Sequence, residues 1–191
     1  MSLQAALHET ADTRYGGADL QSFSAWARGP AHALVAVEDL LDDAHQAMAA
    51  RMAFRHIRFH VVNRAGAARV PGCRSSLAGA LTSLLDNALA ACLQGDYVEL
   101  AATVTDDAVR IAVRDTGCGI PRERQARLFE TSFDAGRGGK GLGLALARSV
   151  VEAHGGTVAA SSAPGRGSEF ALYLPFPGGN GANGAGETDH G

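Results

Sequence analysis

The stretch AVRIAVRDTGCGI, residues 108–120, decides the fold. Val109, Ile111 and Val113 fall on one face of a period-two strand, and the same phase puts Asp115 on that apolar face. A carboxylate there is costly unless something donates hydrogen bonds to it. Gly117 and Gly119 follow at once and would let backbone approach a flat ligand closely. The bland alternative is a strand-ending Asp that merely opens a turn.

Working outward, Val98–Val104 forms a preceding strand, joined to Ala108–Asp115 through a turn at Asp106-Asp107, so the two read as a hairpin. Further back, Ser75–Cys92 carries Leu77, Leu81, Leu84, Leu85, Ala88 and Cys92 in one helical stripe, and Leu34 to about Phe54 shows the same period. Between those helices Ile57, Phe59 and Val61 alternate with Arg58 and His60 as a half-buried strand. Downstream, a short helix is expected after Pro121. A longer one is expected from Leu142 to His154, stopped at Gly155-Gly156. Strands at Thr157–Ser161 and Ser168–Leu174, turning at Pro164-Gly165, close the pattern. The expected architecture is a two-layer α/β (α+β) sandwich, a mixed, mostly antiparallel sheet with helices on one face.

The bounds agree. With 191 residues the chain suggests one domain centred on 34–176, and residues 30–176 could bury roughly 68–70% of their unfolded surface. Residues 1–18 read as poorly ordered, 19–33 as a linker or remnant of an upstream helical hairpin, and 177–191 as a disordered Gly-rich tail. A net charge of −3 predicts no nucleic-acid partner and no grip on anionic membrane. Cys73, Cys92 and Cys118 have no CxxC spacing and read as free thiols. No apolar run nears the roughly 18 residues of a membrane span, so the expectation is a cytoplasmic chain without membrane contact of its own.

Two further segments carry chemistry. On the Ser75–Cys92 helix, Ala80, Ser83, Asn87 and Ala91 line one edge beside the apolar stripe. Three small residues around one amide leave room for a ligand. An amide oxygen suits Mg²⁺, which needs only one or two protein ligands beside phosphates and waters. The alternative is an ordinary polar residue flanking a core stripe. The other segment, residues 136–143, holds five glycines in eight positions, with Arg137 and Lys140 among them and a helix directly behind. Amide groups at a helix start favour phosphate. Walker A fails, because Gly141 stands where Ser or Thr should follow Lys140. A dinucleotide fingerprint fails because no strand precedes the glycines.

Taken in order, these segments resemble the catalytic and ATP-binding domain of sensor histidine kinases, within the gyrase–chaperone–kinase–mismatch-repair superfamily. Residues 81–88 are similar to its N box, 115–120 to its G1 box, 128–133 to its F box and 139–146 to its G2 box, while 167–175 resemble its last strand. The resemblance implies a Bergerat-type ATP-binding fold with ATP and Mg²⁺ as cofactors. It implies Asn87 as metal ligand, Asp115 as acceptor for the adenine amine, and Ser168 as a further adenine contact through water. Asn87 and Lys140 would carry the transfer. Ala91, Gly117, Gly119, Ile120, Arg137, Gly139, Gly141, Leu142, Gly143 and Leu144 would complete the nucleotide site. Thr131 to Gly141 would be a lid anchored by Phe129 and Phe133.

The implied activity is that of a histidine protein kinase in two-component signal transduction, passing phosphate to a histidine outside this chain and onward to a response regulator receiver domain. That acceptor is expected in trans or in a missing N-terminal region, since His8-Glu9-Thr10 lacks the Arg, Pro and Leu that follow it in relatives. Ser83 stands where relatives often have Asn, Glu or His. A serine is a poor general base, so independent ATP hydrolysis is not expected. Two alternatives stay open: a degenerate nucleotide-binding regulatory module, and a serine kinase of the anti-sigma-factor type. His154 reads as a cation at a helix C-terminus, and the chain is expected to be monomeric.

Overall fold

The computed structural model describes residues 33–129 and 143–175. In chain order its elements are β1 (Ala33–Ala36), α1 (Val37–Phe54), β2 (Arg58–Asn63), β3 (Arg69–Gly72), α2 (Arg74–Ala91), β4 (Tyr97–Val104), β5 (Ala108–Asp115), α3 (Arg122–Gln125), α4 (Gly143–Ala153), β6 (Thr157–Ser162) and β7 (Ser168–Pro175). Segments 1–18 and 177–191, residues 19–32 of the linker, and the lid from Thr131 to Gly141 lie outside the described residues.

The helices follow from their apolar spacing. In α1, Val37, Leu40, Leu41, Ala44, Met48 and Met52 recur every three or four residues and are all buried. Glu38 and Asp39 in its first turn suit the positive end of the helix dipole. His56, at φ 54°, ends it in the left-handed conformation, with Ile57 N–H returning to the Met52 carbonyl at 3.0 Å. In α4, Gly155 at φ 72° and the Gly156 N–H to Val151 carbonyl bond of 2.9 Å make the same stop, at the expected position.

Five strands form the main sheet in the order β2-β4-β5-β7-β6. Only β2 against β4 is parallel, so the sheet is mixed and mostly antiparallel. Along β5 and β7, Val109, Ile111 and Val113 and then Phe170, Leu172 and Leu174 are buried in the same core as Leu77, Leu81, Leu84 and Leu85 of α2. On the opposite face Arg110 pairs with Glu169 and meets the Tyr173 hydroxyl at 3.3 Å.

One expectation fails. Leu34 does not begin a helix: residues 33–36 are strand β1, paired antiparallel with β3, a strand the sequence reading did not include. Leu34 to Leu40 happen to continue the helical period backward, but Val35 is the residue buried and Leu34 is 48% exposed. The helix starts at Val37, whose N–H goes to the Ala68 carbonyl at 3.0 Å.

Candidate nucleotide site

Asp115 ends β5 facing inward, as its phase requires, and is 2% exposed. Its Oδ1 accepts the Gly117 N–H at 2.9 Å. Its Oδ2 is buried and has no hydrogen-bond partner among the described residues. Burial pushes the carboxyl above the usual range, opposed by the N–H groups of Gly117 and Ser168 and helped by the charge of Asp96. A sealed acceptor of this kind needs a donor from beyond the described residues.

The loop after Asp115 is held from three sides. Cys118 N–H donates to the Ala91 carbonyl at the end of α2 (3.2 Å), and the Cys118 carbonyl accepts from Gly165 N–H in the β6–β7 turn (2.8 Å). Thr116 Oγ1 donates to Asp96 at 2.9 Å and accepts Tyr97 N–H at 3.0 Å. Ile120 N–H reaches Ser162 Oγ at 2.8 Å. On the carbonyl side, Gln125 Nε2 donates to both Ile120 (2.8 Å) and Ser162 (2.9 Å). Gly119 and Gly167, at φ 66° and 75°, sit where a Cβ would overlap the carbonyls of Ala163 and Asp115. A Cβ at Gly117 would lie 2.5 Å from the Ala91 oxygen.

The α2 edge forms the second wall. Ala80 and Ser83 are buried, while Asn87 and Ala91 are half-buried. Ser83 Oγ donates to the Gly79 carbonyl of its own helix at 3.0 Å, so its proton is committed. The Asn87 amide makes no hydrogen bond within the described residues and is free for a ligand. Gly143 opens α4 beside Ser83, with 3.7 Å between a Cβ placed there and the Ser83 Cβ. Leu144 and Ile120 are half-buried and pack against the core. Phe129 meets Phe170 edge-to-face at 6.4 Å, where an apolar anchor was expected. Arg137, Gly139, Lys140, Gly141 and Leu142, together with Phe133, lie outside the described residues.

Ser168, 5% exposed, is the cross-strand partner of Asp115, and its hydroxyl lies 3.0 Å from that of Ser162. No group of three or more His, Cys, Asp or Glu side chains among the described residues could hold a metal. A single amide completed by phosphate and water oxygens fits this donor set. Two surface hollows, beside Arg74 and between Arg51 and Phe54, include none of Asp115, Asn87 or Ser168.

Other expectations resolve locally. All three cysteines are free. Cys92 is buried, which, with the charges of Asp115 and Asp96, pushes its thiol up to about 12. His154 lies just past α4, with its Nδ1 2.7 Å from Val150 O and its Nε2 3.0 Å from the Cys73 N–H nitrogen. No described helix is long and apolar enough to cross a membrane. The sequence reading missed Ser162, Gln125, Asp96 and Thr116. A signal for Ser162 was present, since a turn at Pro164-Gly165 sets it opposite Ser168.

The chain is similar in sequence and fold to known proteins. The sensor protein KinB of Pseudomonas aeruginosa, named for alginate biosynthesis, is 35% identical over 162 residues, 82% of this chain and 27% of that protein. The full-length structure of ShkA with AMPPNP has a TM-score of 0.71 at 28% identity, covering 81% of this chain and 34% of that one. The nucleotide-free catalytic domain of histidine kinase ThkA has a TM-score of 0.70 at 22% identity, covering 76% and 95%, and supports the fold alone. The chain spans about a quarter of the length of KinB. The family model described as "Histidine kinase-, DNA gyrase B-, and HSP90-like ATPase" matches residues 72–178, and with β4, β5, α4 and the Asp115 loop all inside that span, the chain belongs to this ATPase family.

Proposed function

We propose that this chain is the catalytic domain of a histidine protein kinase. It binds Mg·ATP between α2, the Asp115 loop and the start of α4, and passes the γ-phosphoryl to a histidine outside this chain. The observation that carries the reading is Asp115 Oδ2, a buried acceptor awaiting a donor. The adenine amine supplies that donor.

Asp115 orients the base, and Ser168 beside it contributes a second contact. Gly117 and Gly119 keep side chains off the base plane. Asn87 is the residue that would hold Mg²⁺, which neutralises phosphate charge when bound. The amide groups at the α4 start face the phosphates, with Arg137, Gly139, Lys140, Gly141 and Leu142 assigned there from the sequence. Phosphoryl transfer asks mainly for positioning and charge neutralisation, and this chain offers both. Ser83 is a poor general base, because a neutral hydroxyl is too weakly basic to take up a proton near neutral pH. That favours transfer to a protein acceptor over ATP hydrolysis.

The partners proposed are a phosphoacceptor histidine domain and a response regulator receiver domain, in the cytoplasm. The test incubates the chain with radiolabelled ATP and a purified histidine-bearing helical hairpin of a related kinase. Label that appears on the hairpin and is lost in acid supports the proposal. Acid-stable label points to the serine-kinase alternative, and nucleotide binding without transfer to any acceptor points to a regulatory module.

A further inference from the structure

Hydrogen-bond directions around Ser162 settle which way a neighbouring hydroxyl faces. Ser162 Oγ lies 2.8 Å from the Gly167 carbonyl oxygen, 2.8 Å from the Ile120 nitrogen and 3.0 Å from Ser168 Oγ. A hydroxyl has one proton and two lone pairs. The Gly167 carbonyl can only accept, so the Ser162 proton goes there. Ile120 N–H takes one lone pair. The second lone pair is all that remains for Ser168, whose single proton is therefore drawn toward Ser162. Ser168 Oγ then shows its remaining neighbours lone pairs alone.

Ser168 and Asp115 are cross-strand partners on one face of the sheet, so their side chains stand about 5 Å apart at Cβ. Asp115 Oδ1 is occupied by Gly117 N–H, and Oδ2 is open. At this end of β5 and β7 the side chains thus present two acceptors and no donor. A 6-amino purine offers hydrogens to such a wall. A 6-oxo purine brings O6, a third acceptor, to the place of the amine, and its N1–H, one ring position away, can reach Asp115 only if the base shifts in the site.

We propose that Ser162 is a specificity-determining positioning residue, which holds the Ser168 proton away from the base and so selects 6-amino over 6-oxo purine nucleotides. This rests on the nucleotide reading of the site. Ser162 touches no ligand itself. It acts through Ser168, while also fixing Ile120 and the Gly167 turn.

The test titrates ADP and IDP, in Mg²⁺ buffer, into the wild type and the Ser162→Ala and Ser162→Thr variants by calorimetry. In the wild type ADP binds more tightly. In Ser162→Ala the Ser168 hydroxyl is free to donate to O6, and the ADP:IDP affinity ratio falls roughly five- to tenfold. Ser162→Thr keeps the hydroxyl and the wild-type ratio. Equal weakening of both nucleotides in Ser162→Ala would mean that Ser162 only braces the loop, and the proposal is overturned. A wild type that binds ADP and IDP alike overturns it too, with the nucleotide site intact. Binding of neither nucleotide by the folded wild type sinks the site reading itself. Should Ser162→Ala fail to fold, Ser168→Ala leaves the bonds to Ile120 and Gly167 in place. There the ratio falls through weaker ADP binding, and an unchanged ratio overturns the proposal.

Discussion

At the residue scale the decisive contact is one that the described residues do not make among themselves. Asp115 gives one oxygen to Gly117, and the other is buried without a partner among the described residues. Its carboxyl lies above the ordinary value of 3.8 because burial disfavours the charge. The folded state then binds more protons than the unfolded one between 3.8 and the folded value, so stability falls as pH rises through that window. Asp115→Asn removes the charge, keeps an acceptor for Gly117, and puts a donor where the amine should enter. The expected outcome is an apo protein at least as stable as the wild type at pH 7, with a flatter pH dependence above 3.8, measured by urea unfolding across pH. Nucleotide affinity should fall roughly 10- to 150-fold, the worth of a hydrogen bond to a charged group. Gly167→Ala tests the backbone beside it. Its φ of 75° and the Asp115 carbonyl in the path of a Cβ leave no room for alanine. Left-handed strain alone costs about 1–2 kcal/mol, so a clear drop in urea midpoint is expected. Asp115 itself was legible in the sequence because period two is a strong rule on a strand with one buried face. For Ser162 the Pro164-Gly165 turn made the position opposite Ser168 legible, but not the role, because satisfying backbone groups and a second hydroxyl is not revealed by residue type alone.

Among the elements, periodicity identified those long enough to show it. α1, α2, α4 and strands β4, β5 and β7 carry stripes that burial then explains. β1 and β3, four residues each, are too short for a period to declare itself, and the β1 sequence blends into the helix behind it. Their pairing matters because β3 leads straight into α2. At that junction His154, one residue past the last turn of α4, accepts Cys73 N–H while holding Val150 O. Gly72 must stay small, since a Cβ there would lie 2.5 Å from the His154 ring. The histidine thus ties the end of α4 to the start of α2, the two helices that line the proposed phosphate end. His154→Leu leaves the Cys73 N–H without its partner. A loss of about 1–3 kcal/mol is expected, or roughly 2–12 °C in Tm. Because Asp115 is remote from this tie in the fold, adenosine binding to the variant should change far less than ADP binding, as calorimetry of the two ligands can read.

For the whole molecule, the proposed site takes its base contact from the sheet and its phosphate contact from the helices, so ligand binding should couple the two layers. Anything that binds the native state alone stabilises it by mass action, about 2.7 kcal/mol at one hundred times Kd. For a domain of this size Mg·ADP should then raise Tm by roughly 5–11 °C. The two proposed contacts separate in that measurement. Asn87 stands on α2 with no hydrogen bond from its amide among the described residues, and in the proposed site its share of binding would pass through the metal. In Asn87→Ala, ADP with EDTA should still raise Tm as it does in the wild type, while the further increment from Mg²⁺ disappears. Asp115→Asn should behave in the opposite way, losing the shift with and without Mg²⁺. If Mg²⁺ adds the same increment in Asn87→Ala as in wild type, the metal is held elsewhere and α2 is only a packing helix. If Mg·ADP leaves wild-type Tm unchanged at millimolar concentration, the two layers do not close on a nucleotide, and the empty acceptor at Asp115 needs another donor.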